Sequence, residues 1–410
     1  MPDPVELVVR LNDSDVGVLT LNDNLSTFEF LDSHLETPKR SVLGQMFEDS
    51  PRSSWRQAMF VPAWFANLLP EDPMLSFVAH ELGINPKNEF RMLEALGQDL
   101  PGAITLELAT TGFRGEVGPR VVESTKSREP KKQLSVRFSI AGVQFKLSML
   151  IAENTLTLAG EGELGNHLVK FPSATFADVP ENEFSMMTWA KSTGLDVPDV
   201  ELKAATQLDL PDAFSRFREN NVFVIKRYDR QNDTRIHQED FNQVLGNRPD
   251  KKYEGASYER LGLMINVICG ADDCMEYIRR LLFCVAIGNE DAHLKNWSIV
   301  YPDGIHARLA PGYDYVSTIQ YEGLDREMAL RLGGTRRAQT ITMDVLERLA
   351  RKAGVDPKEA RREATDTIQR MGDAWNEISP DLPVSTAFKA RLAAHQAEVP
   401  LVAQLSQLME

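Results

Sequence analysis

Asp291 and Asn296 stand five positions apart in the segment IGNEDAHLKNWSIV (287–300), and a further acid, Asp314 in LAPGYDYVST, follows eighteen positions after the asparagine. Mg2+ keeps much of its water and takes one or two carboxylates together with phosphate oxygens, so one Asp and one amide oxygen on adjacent segments suffice as protein ligands. A carboxylate held off the metal can orient an attacking hydroxyl and take up its proton late in the transfer. These residue types suit phosphoryl transfer from a magnesium-bound nucleotide, with Asp291 as the catalytic carboxylate and Asn296 and Asp314 as the metal ligands. An Asp and an Asn at one fixed interval arise by chance about once in a chain of this length. The pair gains meaning only from the elements that position it.

Those elements are legible on both sides of the turn. Tyr277, Leu281, Leu282, Phe283 and Val285 mark a buried helix end before it, and Trp297, Ile299 and Val300 a short strand after it. Upstream, LGNHLVKFP (164–172) reads as a strand that puts Lys170 on the face opposite Val169 and Phe171. Asp178 is placed to cap the next helix, Pro180 fits its first turn, and the helix runs through Glu183, Phe184, Met187 and Ala190 to a stop at Gly194. Glu183 then faces the sheet, and a strand lysine held by a glutamate on the following helix is a device for gripping nucleotide phosphates. SVRFSIAGVQFKLSMLI (135–151) supplies another strand, from Phe145 to Ile151, after a turn whose Ala141 and Gly142 let backbone approach a ligand closely. Strands are also expected over 200–205 and 222–228; Lys226 and Arg227 fall at the exit of the second, where backbone groups can hydrogen-bond an adenine ring.

The rest of the chain sets bounds. Its 410 residues call for two or three domains, and 45 Lys and Arg against 60 Asp and Glu give a net charge of -15, which disfavours broad electrostatic capture of DNA or anionic membrane. No apolar run is long enough to span a bilayer, and MPDPVELVVR has acids where a signal peptide needs basic residues, so a cytoplasmic location is expected. Cys269, Cys274 and Cys284 are odd in number and lack CxxC spacing, as for buried thiols in a reducing compartment. Alternation over 5–11 and 16–20 predicts a hairpin, extended by Phe28 and Phe30; helices are predicted to end at Gly83 and Gly97, and a strand over 103–110. His80, in the first of these helices, reads as structural. The polar stretch 113–133 reads as a linker, and helices fit 256–268, 272–287, 343–353, 357–378 and 385–397, with a short amphipathic one in the tail.

Taken in order, SIAGVQFK, HLVKFP, the NE of PENEF, QED (238–240), IGNEDAHLKN and LAPGYDYVS resemble the HipA family of bacterial serine/threonine kinases, toxin components of toxin–antitoxin pairs. FANLLPED (65–72) and LGQDLPGAI (96–104) resemble the amino-terminal module such proteins carry, so the likeness covers nearly the whole chain. The Asp291 to Asn296 interval is also the one protein kinases use. The resemblance implies an α+β, two-lobed protein-kinase-like fold with an additional N-terminal β-rich module (1–112), a linker (113–133), a sheet lobe (134–234) and an all-helical C-terminal lobe (235–410). It implies ATP and Mg2+ as cofactors, with Asp291 catalytic, Asn296 and Asp314 on the metal, Lys170 on the phosphates and Glu183 supporting it. Ile225 to Tyr228 would hold the adenine, bringing in Lys226, Arg227 and Tyr228. The loop with Ala141, Gly142, Val143, Gln144 and Lys146 would cover the phosphates in place of a GxGxxG pattern, which this chain lacks, and Ser139 matches the autophosphorylated serine.

Other positions admit two readings. Lys295 either neutralises charge on the moving phosphoryl group or pairs with Glu290. His293 is taken as a hydrogen bonder of the turn, because no second His or Cys lies near it to share a metal. Gln238, Glu239 and Asp240 either line the ribose or cap the next helix. The expected partners are a small DNA-binding antitoxin, DNA only through it, and a protein substrate from translation such as an aminoacyl-tRNA synthetase, with no membrane. Two other functions fit the same residues: a small-molecule or lipid kinase on this scaffold, and a mainly non-catalytic corepressor seated on a DNA-binding protein.

Overall fold

The computed structural model describes residues 4–72, 74–109, 146–152, 155–158, 165–209, 217, 219–231 and 234–408. The stretch 113–133 and the turn carrying Ser139, Ala141, Gly142, Val143 and Gln144 lie outside the described residues.

Apolar alternation builds the first sheet. Strands β1 (Val5–Leu11), β2 (Ser14–Asn22), β3 (Leu25–Phe30), β4 (Trp55–Ala58) and β5 (Ile104–Leu108) pair antiparallel in the order β4-β3-β2-β1-β5. Leu7, Val9, Val16, Leu19 and Phe28 point to a core closed by Phe47, Trp64 and Phe65. The helix Met74–Leu82 stops at Gly83, whose φ of +66° suits a residue without a Cβ, and Glu89–Leu96 starts where the Asn88 side chain accepts the Arg91 N–H.

The second sheet carries the lysine strand. Strands β6 (Lys146–Ala152), β7 (Thr155–Leu158), β8 (His167–Lys170), β9 (Val200–Ala204) and β10 (Asn221–Lys226) run in the order β7-β6-β8-β10-β9, which puts Lys170 in register with Lys146 on one side and Phe223 on the other. The helix Val179–Ser192 packs on this sheet. Asp178 stands at the expected N-cap position, its carbonyl accepting the Asn182 N–H, but with φ 54° and ψ 32° the residue is left-handed and its side chain makes no capping bond; Pro180 sits in the first turn as expected. Phe77 from the first unit packs into the core beneath this sheet with Val169 and Phe171.

Helices Tyr258–Cys269, Ala271–Ala286, Met343–Ala353, Pro357–Ile378 and Thr386–Glu398 make up most of the remainder, around a core that includes Tyr277, Phe283, Leu346 and Ile368. The lobe expected to be all-helical contains further strands besides the one expected after the turn. Beyond a two-residue pair, β11 (Arg230–Gln231) with β12 (Thr234–Arg235), the strands β13 (His237–Asp240), β14 (Ser298–Tyr301) and β15 (Arg308–Leu309) form a sheet against which the turn 287–297 is braced. Among the described residues no helix is long and apolar enough to cross a membrane, and the three cysteines are free thiols, with burial raising each to about 12.

Candidate active site

Lys170 ends β8 at the centre of its sheet, and its ammonium is buried between two carboxylates: 2.5 Å from Glu183 Oε1 on the following helix and 2.5 Å from Asp314 Oδ1. Asn296 Nδ2 donates to the other oxygen of Asp314 at 2.7 Å. Residues from the sheet, its helix and two segments of the helical lobe thus converge on one point. Burial works against the Lys170 charge, but Asp314 and Glu183 overcome it and hold the ammonium above its ordinary range. Burial would likewise raise Asp314; Lys170 and Lys146 hold it well below the usual carboxylate range. Glu183, wholly enclosed, is pushed up by burial, with Lys170 pulling the other way.

Asp314 is one of the non-glycine residues with positive φ, at 62°. A left-handed backbone at a non-glycine residue costs of order 1–3 kcal/mol and persists where surrounding contacts over-determine it. Here those contacts are Lys170, Asn296 and the Asn289 amide, which donates to the Asp314 carbonyl at 3.1 Å. The Asn289 oxygen accepts the Asp291 N–H at 3.1 Å, so one side chain ties the turn to the Asp314 segment. Sequence reading passes over Asn289; its only trace is its place two residues ahead of the acid.

Asp291 itself is the open member, its side chain 56% exposed, with the Tyr253 hydroxyl donating to Oδ1 at 2.7 Å. Burial of its surroundings raises the Asp291 carboxyl above its ordinary value, and the Tyr253 bond draws it back. Tyr253 also lies edge-on to His293, 5.2 Å between ring centres. No motif singles Tyr253 out, since a tyrosine in KKYEG looks like any turn residue.

His293 is buried, its Nε2 4.0 Å from Asp291 Oδ2 and its Nδ1 without a hydrogen-bond partner among the described residues. Burial lowers its pKa to about 3, so the ring is neutral at working pH and adds no fixed charge beside the acid. Lys295 does not pair with Glu290, which meets Arg326 at 3.7 Å instead; its ammonium lies 3.3 Å from Glu71 and 3.5 Å from the Asn67 carbonyl. Both partners belong to FANLLPED, a stretch that no local pattern connects with this turn.

The connection after β10 is firmly held. The Lys226 N–H donates to the Asp199 carbonyl and the Arg227 N–H to the Asn166 carbonyl, so an adenine ring would have to meet other atoms there. The Lys226 side chain is exposed, while Arg227 is buried in a cluster with Asp229, Asp99 and the Ser148 hydroxyl. Tyr228 stacks on Tyr313 and its hydroxyl donates to Gln238. Of the remaining QED residues, Asp240 caps the short helix Phe241–Val244 and Glu239 accepts from Gln45 N, Trp64 Nε1 and the Tyr301 hydroxyl, a joint with the first sheet's unit.

The donors at the convergence point suit Mg2+. Asn296 Oδ1 and Glu183 Oε2 are buried oxygens without partners among the described residues, and Asp314 is ionised beside the first of them. Among the described residues no group of three or more His, Cys, Asp and Glu could hold a metal; the convergence point offers a sparse set of oxygens.

The chain matches known proteins along nearly its whole length. Residues 138–375 match the HipA-like C-terminal domain and residues 7–107 the HipA N-terminal domain. Y4dM of Sinorhizobium fredii, named as a putative kinase, is 35% identical over 416 residues, covering 99% of this chain and 100% of that protein. The serine/threonine-protein kinase toxin HipA of Shewanella oneidensis is 28% identical over 370 residues, 82% of this chain and 81% of that one. A chain of the Shewanella oneidensis MR-1 complex of HipA, HipB and operator DNA superposes with a TM-score of 0.74 at 21% identity, covering 98% of this chain and 99% of that chain, and so shares its fold. With both halves matched and a relative similar along nearly its entire length, the chain belongs to the HipA family of kinases.

Proposed function

We propose that this protein is an ATP- and Mg2+-dependent serine/threonine protein kinase, the toxin component of a toxin–antitoxin pair. The observation that carries the reading is Lys170 Nζ held at 2.5 Å from both Glu183 and Asp314, with Asn296 bonded to the same aspartate. Bound there, Mg2+ would neutralise charge on the terminal phosphates of ATP. Asn296 and Asp314 would hold it, Lys170 and Lys146 would meet phosphate oxygens, and Tyr228 would border the base. Asp291 would orient the substrate hydroxyl and accept its proton, and its exposure supports that role because a protein substrate has to reach it.

In this reading residues 1–112 are an amino-terminal module, 134–234 the nucleotide-binding lobe and 235–410 the lobe that presents Asp291. A small DNA-binding antitoxin would hold the kinase inactive and supply the contact with DNA that a chain of net charge -15 does not offer. The Shewanella oneidensis fold neighbour was solved in complex with HipB and operator DNA, which supports such a partner. The substrate would be a component of translation, an aminoacyl-tRNA synthetase being one candidate.

Ser139 would be the site of autophosphorylation. A phosphate there adds about two negative charges, and the loop bearing it could no longer lie against the phosphates of ATP, so the enzyme would silence itself. Phosphatase-treated protein incubated with Mg2+-ATP is expected to gain one phosphate by intact mass, mapped to the Ser139 peptide and absent in Ser139→Ala. No gain in mass by the treated wild type would refute autophosphorylation, and phosphate retained by Ser139→Ala would refute the site.

A further inference from the structure

One carboxylate of the amino-terminal unit reaches the turn that carries Asp291. Glu71 lies in FANLLPED, and that segment is locked to the helical lobe: Asn67 Nδ2 donates to the Asn247 carbonyl at 2.8 Å, Asn242 Nδ2 donates to Asn67 Oδ1 at 2.9 Å, and Gln243 Nε2 donates to the Trp64 carbonyl at 3.2 Å. From this anchored position Glu71 Oε2 accepts from Lys252 Nζ at 2.7 Å while Oε1 lies 3.3 Å from Lys295 Nζ. Burial alone would raise the Glu71 carboxyl, but Lys295 and Lys252 hold it at about 2, so it is ionised at any working pH.

Both lysines lead to reacting groups. Lys295 sits directly before Asn296. Lys252 accepts the Leu294 N–H on its carbonyl at 3.1 Å, its ammonium lies 5.5 Å from the centre of the Tyr253 ring, and the Tyr253 hydroxyl donates to Asp291. Glu71 therefore grips the turn from two sides, through Lys295 within it and through Lys252 and Tyr253 behind it. Without this carboxylate the two ammonium groups lose the charge that bridges them, leaving Asp240 near Lys295 and Asp291 near Lys252 as separate counter-charges, so the side chains are no longer drawn to one point. The turn would then lose the contacts that fix Lys295 and Asp291.

We propose that Glu71 is a positioning residue for phosphoryl transfer, through which the amino-terminal module completes the active site of the helical lobe. The proposal rests on the kinase reading given above. It differs from a simple tether between units, because a tether lost from the surface lowers stability and leaves the turnover of folded molecules unchanged. A positioning contact does the reverse: misplacing reacting groups by about 1 Å costs on the order of a hundredfold in rate, while nucleotide affinity, set by Lys170, Asn296 and Asp314, stays.

The test compares full-length wild type, Glu71→Gln and Glu71→Asp in two measurements. The first is label incorporation from Mg2+-ATP, read as the rate at saturation and the half-saturating ATP concentration. The second is hydrogen exchange at the amides of residues 290–297. Glu71→Gln is expected to lower the saturated rate by about ten- to a hundredfold, to leave half-saturation within about twofold, and to speed exchange across 290–297 while the helix Pro357–Ile378 exchanges as in wild type. Glu71→Asp, with the charge retained, is expected to recover part of the rate. An unchanged saturated rate in an active preparation, or unchanged exchange over 290–297, overturns the proposal. A wild type that transfers no phosphate refutes the kinase reading instead, and exchange alone then decides whether Glu71 holds the turn.

Discussion

Asp291→Asn is expected to lower phosphate transfer by about 10²–10⁴-fold, the range a positioned general base contributes, with little change in folding stability. The substitution keeps the size of the side chain, its amide oxygen can still accept from the Tyr253 hydroxyl, and the position is more than half exposed, where changes usually stay within about 0.5 kcal/mol. In the proposed kinase the same carboxylate would govern pH dependence. Asp291 must be ionised to receive the proton, so the rate falls as pH drops through a pKa that lies above the ordinary aspartate value. The Tyr253 hydrogen bond favours the ionised form, so Tyr253→Phe moves this acid limb to higher pH. Label incorporation measured across pH for the three proteins checks both points, and full activity in Asp291→Asn would remove that residue from the chemistry.

Lys170→Met is expected to abolish nucleotide binding and also to cost about 3–5 kcal/mol of stability, the usual result of breaking a buried pair from one side. Glu183 is wholly enclosed and Asp314 is ionised, so the variant leaves two neighbouring carboxylates opposed by the exposed Lys146 in place of the buried ammonium between them. Neutralising the second partner separates the two effects. Lys170→Met with Glu183→Gln removes one of the stranded charges, and thermal unfolding is expected to recover a large part of the loss while ATP binding does not return. Recovery of both would mean that Lys170 supports the fold and takes no part in holding phosphate.

How much of this is legible in the sequence depends on the range of the interaction. Local patterns read well: alternation over 5–11 and 16–20 becomes β1 and β2, and the helices stop at Gly83, Gly194 and Gly354, all with positive φ. The strand with Lys170 and the helix with Glu183 are readable for the same reason, and the structure brings those side chains together. Pairings between distant charged residues leave no such trace. Lys295 invites a match with Glu290 because both lie in one short segment, whereas its partner, Glu71, comes from another unit of the chain. Strand β13 escapes notice because HQED lacks apolar alternation; His237 and Glu239 make buried polar contacts with Leu43, Gln45 and Trp64, and the His237 ring stacks on Tyr301. The left-handed backbone of Asp314 is held by tertiary contacts with Lys170, Asn289 and Asn296, and Asp178, also left-handed, stands at the start of its helix without the side-chain bond that propensity leads one to expect.

The convergence of Lys170, Asn296 and Asp314 on the phosphates of a nucleotide is tested most directly by calorimetric titration of ATP into wild type and Asp314→Asn, each with Mg2+ and with a chelator. Wild type is expected to bind ATP in a magnesium-dependent manner, and Asp314→Asn to lose at least about tenfold in affinity, equivalent to about 1.4 kcal/mol, together with most of the magnesium dependence. Equal affinity with and without the metal, or an Asp314→Asn variant that binds as wild type does, would contradict the account.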